Sequence, residues 1–98
     1  MYVISREVYA DLARQVCERL ENCSYFNGEV TCDDGVAEHR FLATLIIYRR
    51  RAELLGQEFD TISDVVPVWW ECRSVTEDGE VLNDFDFGQF KREMVVKA

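Results

Sequence analysis

The sequence predicts a single α+β domain over residues 1–98, an antiparallel meander of three or four strands with two helices packed on one face. Three observations carry this prediction. An uncharged run at residues 41–48, Phe-Leu-Ala-Thr-Leu-Ile-Ile-Tyr, passes abruptly into Arg49-Arg50-Arg51. Apolar residues recur at helical spacing near both ends of the chain. Between those ends, Asp34-Gly35 and Glu77-Asp78-Gly79 mark turns that separate β-rich stretches.

The uncharged run is too short to cross a membrane and lacks helix-capping residues. Its Thr, Ile, Ile and Tyr suit a strand, and apolar residues at consecutive positions suit one flanked on both sides. It is read as the central strand, residues 38–50. Before it, Ser5 is placed to cap a helix over residues 6–21, with Ile4 and Tyr9 as a hydrophobic staple. Val8, Tyr9, Leu12, Ala13, Val16, Cys17 and Leu20 form its apolar stripe.

Residues 25–33 read as the first strand. Asp34-Gly35 suits a two-residue type I′ turn, which would set Phe26 opposite Ala43 and Gly28 opposite Phe41. One face then holds Phe26, Val30, Cys32, Phe41, Ala43, Leu45 and Ile47; the other holds Tyr25, Asn27, Glu29, Thr31, Leu42, Thr44, Ile46 and Tyr48. Residues 52–64 show no sustained period and are expected to form a loop. Residues 65–75 form the third strand, with Val66, Val68, Trp70 and Cys72 toward the helices and Pro67, Trp69, Glu71 and Arg73 away. Pro67 cannot donate to a ladder, so an open side or a bulge is expected there. Residues 80–82 add a short fourth strand. Asp86 and Gln89 make a capping-box pattern for a last helix over residues 87–96.

A hydrophobic content of 48% argues for a packed core and against disorder. The formal net charge of -8 repels phosphate and anionic lipid, which disfavours nucleic-acid and membrane partners. Neither a secretory signal nor a membrane span is legible, so a cytosolic protein is expected. There Cys17, Cys23, Cys32 and Cys72 remain free thiols. They show no zinc-ligand spacing, and no cofactor is expected.

The element order is similar to that of double-stranded-RNA-binding domains. Those place lysines at the start of the last helix to straddle phosphates, whereas this chain has Asp84 and Asp86 there. RNA binding is therefore not expected. The acidic stretch Glu77, Asp78, Glu80, Asp84 and Asp86 lacks the calcium-loop pattern. His39, the single histidine, shares a face with Cys32, a pairing from which a nucleophile can be imagined, but no orienting third group is apparent.

Two constellations remain. Arg49, Arg50 and Arg51 can grip an anion, or can form a solvated strand end paired with Glu58, Asp60 or Asp64. Alternation along a regular strand keeps the three from converging, so no anion site is expected. Trp69 and Trp70, being adjacent, point to opposite faces. With Trp70 toward the helices, Trp69 joins Tyr25, Leu42, Ile46 and Tyr48 on the open face, with Arg50 at the rim. That patch either meets a partner or is covered by residues 52–64 through Leu54, Leu55 or Phe59. The function expected is a non-enzymatic protein–protein contact, with a partner protein or as a homodimer. The alternative is a small-ligand binder or enzyme with a pocket between residues 52–64 and the sheet, an anion held by the arginines.

Overall fold

In the computed structural model, which describes residues 1–95, the chain runs α1 (Arg6–Leu20), β1 (Tyr25–Asp33), β2 (Glu38–Leu54), β3 (Gln57–Thr76), β4 (Gly79–Val81) and α2 (Phe87–Met94). The strands form one antiparallel sheet in the order β1-β2-β3-β4, a four-stranded meander. The fold class is therefore the α+β arrangement expected. The expected end of the last helix, residue 96, lies outside the described residues.

α1 begins as its sequence dictates. Ser5 Oγ accepts from the backbone N–H of Val8 at 3.3 Å, and Ile4 and Tyr9 are both buried. At α2, the Asp86 carboxylate accepts from the Gly88 N–H, and the Asp86 N–H donates to Tyr9 Oη at 2.9 Å. That last bond ties the two helices together at the sheet's helix-covered face. Phe85 sits at the centre of the aromatic core, with ring centroids 5.1 Å from Phe41, 5.2 Å from Tyr9 and 5.3 Å from Trp70. Phe41, Leu45, Val65, Phe90 and Leu12 are fully buried around it. Removing a phenylalanine from such a core costs roughly 3–5 kcal/mol.

Four expectations about the strands need correction. The connection after β1 has four residues rather than two, since Asp33 pairs with Glu38. Asp34 Oδ1 accepts from the N–H groups of Val36 and Ala37, an acceptor-rich turn that outcompetes the tight I′ turn. Phe26 then opposes Leu45 and Gly28 opposes Ala43. The slip is two residues, so every side chain keeps the face assigned to it.

The second correction lies in β3. Thr44 pairs with Trp69 and Leu45 with Pro67, leaving Val68 as a bulge. The bulge reverses the alternation below Trp69. Val65 is thus buried opposite Ile47, while Val66 and Val68, expected inside, are exposed. A bulge near Pro67 was one of the two outcomes expected from its missing N–H.

The third correction is the largest. Residues 52–64 are not a loop. β2 continues to Leu54 and β3 starts at Gln57, joined by Leu55-Gly56 with φ of 53° and 81°. Positive φ at both positions is what a two-residue I′ hairpin requires. β1 reaches only as far as Ile46, so beyond it the sheet narrows to a two-stranded arm. The molecule is accordingly long, 53 × 24 × 19 Å, with a radius of gyration of 14.7 Å, against ~13 Å for a compact chain of 100 residues. β4 also begins one residue earlier than expected, at Gly79.

Arg49 joins the arm to α1. Its Nη2 donates to the carbonyls of Glu21 at 3.2 Å and Cys23 at 2.8 Å, just past the end of α1. A cation at a helix C-terminus also complements the helix dipole. Its Nε is buried without a partner among the described residues, which offsets part of the gain. Arg49→Ala is expected to lower the unfolding free energy by about 1–3 kcal/mol, from two charge-assisted bonds less that offset. Urea denaturation followed by circular dichroism measures it, and an unchanged midpoint would remove Arg49 from the list of structural contacts.

Candidate functional site

The strands bring Tyr25, Leu42, Ile46, Tyr48, Arg50 and Trp69 to one face of the sheet, the one without helices. The register shows how. Tyr25 lies opposite Ile46 on β2, Ile46 lies opposite Val66 on β3, and Thr44 lies opposite Trp69. Cross-strand partners share a face, and residues two apart along a strand share it too. Tyr25 is 58% exposed, Tyr48 52% and Trp69 51%. Trp70, on the other face, packs on Phe85 and Phe87.

Residues 52–64 do not fold over this face. They extend it. Phe59 lies opposite Ala52 on the arm, Leu54 follows, and Leu55 at the tip is 96% exposed. A leucine with positive φ is a conformation side chains disfavour, and here it carries an apolar group into solvent. Val66, Phe59 and Leu54 are members of the surface that sequence reasoning missed. The pairing of Phe59 with Ala52 becomes visible only once Leu55-Gly56 is recognised as a turn, and neither of the usual Asn-Gly or Asp-Gly pairs marks it.

The three arginines are divided. Arg49 is spent on the end of α1. Arg51 pairs with Glu58 at 3.2 Å and Asp60 at 3.8 Å along the arm. Arg50, one residue from each, lies on the open face opposite Thr61. The extra residue that shifts the register beside Arg49 is Ser63, on β3, so β2 itself runs without insertion. With residues 52–64 in a hairpin, no cleft separates them from the sheet.

A second constellation was missed at the sequence level. His39 is fully buried, with Nδ1 2.7 Å from Ser74 Oγ and Nε2 2.9 Å from Asp34 Oδ2. Asn83 Nδ2 donates to Ser74 Oγ at 2.9 Å. Because Asp34 is a carboxylate, His39 Nε2–H donates to it, and Asp34 also accepts from the Tyr2 hydroxyl. Serine, histidine and aspartate are the ingredients of a hydrolase triad. The geometry is that of a brace instead. Ser74 and His39 are both sealed from solvent, and Ser74 Oγ is already engaged on both sides, so no carbonyl can reach it. The network fastens the N-terminal segment, the β1–β2 turn, β2, β3 and the segment before α2. Sequence offered only the lone histidine, because its partners lie 5 and 35 residues away.

Two of the four thiols, Cys32 and Cys72, are held back by burial. Cys32 lies directly opposite His39, yet burial, followed by a hydrogen bond with Asp11, raises its pKa to about 11. Burial raises Cys72 to about 12. Neither is a thiolate at neutral pH. The acidic stretch is dispersed: Asp84 accepts from the Ile4 N–H, Asp86 caps α2, and Glu80 reaches toward Arg73.

His39 first, then Tyr2 and the Ala37 N–H, hold the Asp34 carboxyl well below the usual carboxylate range. A carboxyl whose folded pKa is depressed contributes stability that is fully present above its unfolded value, ~3.9, and lost as pH falls below it. Asp34, whose side chain is 20% exposed, is expected to contribute about 1–3 kcal/mol at pH 7. Asp34→Asn should melt below wild type at pH 7, with the gap narrowing below about pH 4. Paired thermal melts across that range test it; a gap that stays constant with pH would contradict the linkage.

No protein family matches the chain, and no curated protein or solved structure matches it either.

Proposed function

We propose that the protein is a small, non-enzymatic, cytosolic module that acts by protein–protein contact through the open face of its sheet. The observation that carries this reading is the apolar strip from Trp69 through Ile46, Tyr25, Val66 and Tyr48 to Phe59 and Leu54, which no other part of the described chain covers. Aromatic residues set in a polar surround are the usual composition of a contact surface. The net charge of -8 weighs against nucleic acid and anionic membrane as the partner. The burial of Ser74 and His39 and the raised thiols of Cys32 and Cys72 weigh against catalysis. An anion-binding role for Arg49, Arg50 and Arg51 has less support, because their guanidinium groups serve separate ends.

Tryptophan and tyrosine dominate interface energies, and truncating a central one costs at least ~2 kcal/mol, a roughly thirtyfold loss in affinity. Trp69→Ala is therefore expected to weaken complex formation by about that factor while leaving the melting temperature near that of wild type. Sedimentation velocity for self-association and affinity capture for other proteins are the measurements. A chain that binds nothing in either assay, or binds equally well as Trp69→Ala, would end this reading.

A further inference from the structure

We infer that the occupant of the open face is a second copy of this chain, packed face to face and antiparallel about a two-fold axis at Ile46. The inference rests on the reading of that face as a contact surface and names its partner. β2 runs from residue 38 to residue 54, so Ile46 is its midpoint, eight residues from either end. Rotation about that point lays β2 over β2 along its whole length. A residue a given number of places after 46 in one copy then meets the residue the same number of places before 46 in the other.

Between Leu42 and Arg50 the face is self-complementary under this operation. At the axis, Ile46 with Tyr25 and Val66 beside it forms an apolar centre. Tyr48 is carried onto Thr44, between Asn27 and Trp69. Arg50 is carried onto Leu42, whose cross-strand neighbours are Glu29, without an ion pair among the described residues, and Glu71, which pairs with Arg73 at 3.1 Å. Arg50 has no ion pair within the described chain, whereas Arg51 beside it has two. The positions that receive Tyr48 and Arg50 surround a shallow depression of about 420 Å³ lined by Asn27, Glu29, Leu42, Thr44 and Trp69. An unpaired cation and an aromatic ring thus meet a hollow edged by a carboxylate and a tryptophan, once on each side of the axis.

The arm supplies a separate reason. A two-stranded ribbon standing clear of its domain is marginally stable in water. Face to face and antiparallel, each arm lies on the broad end of the other copy, where β1, β2 and β3 together offer three strands. From Glu38 to Leu54 the overlap is roughly 50 Å long and about two strands wide, a projected area of roughly 500 Å². That is below the ~800 Å² per partner of a standard interface and in the range of a weak, reversible one.

The test exchanges the charges. Arg50→Glu is one variant; Glu29→Arg combined with Glu71→Gln is the other. Wild type is expected to sediment as a dimer, and each variant alone to lose at least about tenfold in dimer affinity, because like charges meet twice across the axis. An equimolar mixture of the two should recover the dimer, since both contacts then pair opposite charges. Ile46→Arg, on the axis itself, should abolish it whatever the charges elsewhere, and decides the matter if a charge variant fails to fold by circular dichroism. Variants that dimerise as wild type does, or a mixture no better than its components, would overturn the antiparallel arrangement. A wild-type monomer at ~1 mM, a concentration at which even weak interfaces associate, would overturn the second copy as occupant. The broader contact reading would then fall only if Trp69→Ala also left capture of every other protein unchanged.

Discussion

The strict two-residue alternation of β2 is the constraint on which the rest of the structure depends. Phe41, Ala43, Leu45 and Ile47 point to one side and are buried by the two helices. Leu42, Thr44, Ile46 and Tyr48 must then point to the other, where no helix waits. The same seventeen-residue strand therefore generates both the core and the exposed strip. Neither can be changed by a one-residue slip without exchanging the two.

Polar groups hold this strand near its start and at the base of the arm. Near the start His39 links Asp34 and Ser74 inside a sealed network, and Arg49 fastens the base of the arm to the end of α1. Both are high-stakes arrangements, because a buried donor or acceptor without a partner costs more than a satisfied one contributes. They also show where residues that suggest chemistry in sequence are engaged in the fold. A histidine beside a serine and an aspartate, and the first arginine of the run, serve as fasteners. The free edge of β1 is treated in the same way, with Arg19 and Gln15 of α1 donating to the carbonyls of Glu29 and Thr31. These contacts occupy two of the carbonyls that another strand would need along that edge.

Where hydrophobic periodicity met local capping chemistry, the fold was legible. Ser5 with Ile4 and Tyr9, and Asp86 with the apolar spacing that follows, identified both helices, and the run at residues 41–48 identified the central strand. The faces of β1 and β2 followed from period two alone and survived a two-residue error in register. Periodicity failed at Val68, because one inserted residue reverses the pattern without changing composition. It failed more widely over residues 52–64, where an arm solvated on both sides needs no alternation, and where Leu55 occupies a turn position normally held by asparagine, aspartate or glycine. The six residues named for the open face could be found from alternation within single strands. Val66, Phe59 and Leu54 could not, because each depends on the bulge or the unseen turn.

The distance between the two arm tips of a dimer tests the central claim most directly. With Cys23→Ser removing the exposed thiol and a nitroxide attached at Leu55→Cys, pulsed electron–electron double resonance reads that distance. Each tip lies nine residues from Ile46 along its strand. An antiparallel pair centred there therefore separates the labels by eighteen strand rises, about 60 Å. A distribution centred near that length supports a second copy laid across the open face. Tips closer than ~30 Å, half the span that strand geometry requires, or the absence of any interspin distance, would contradict it.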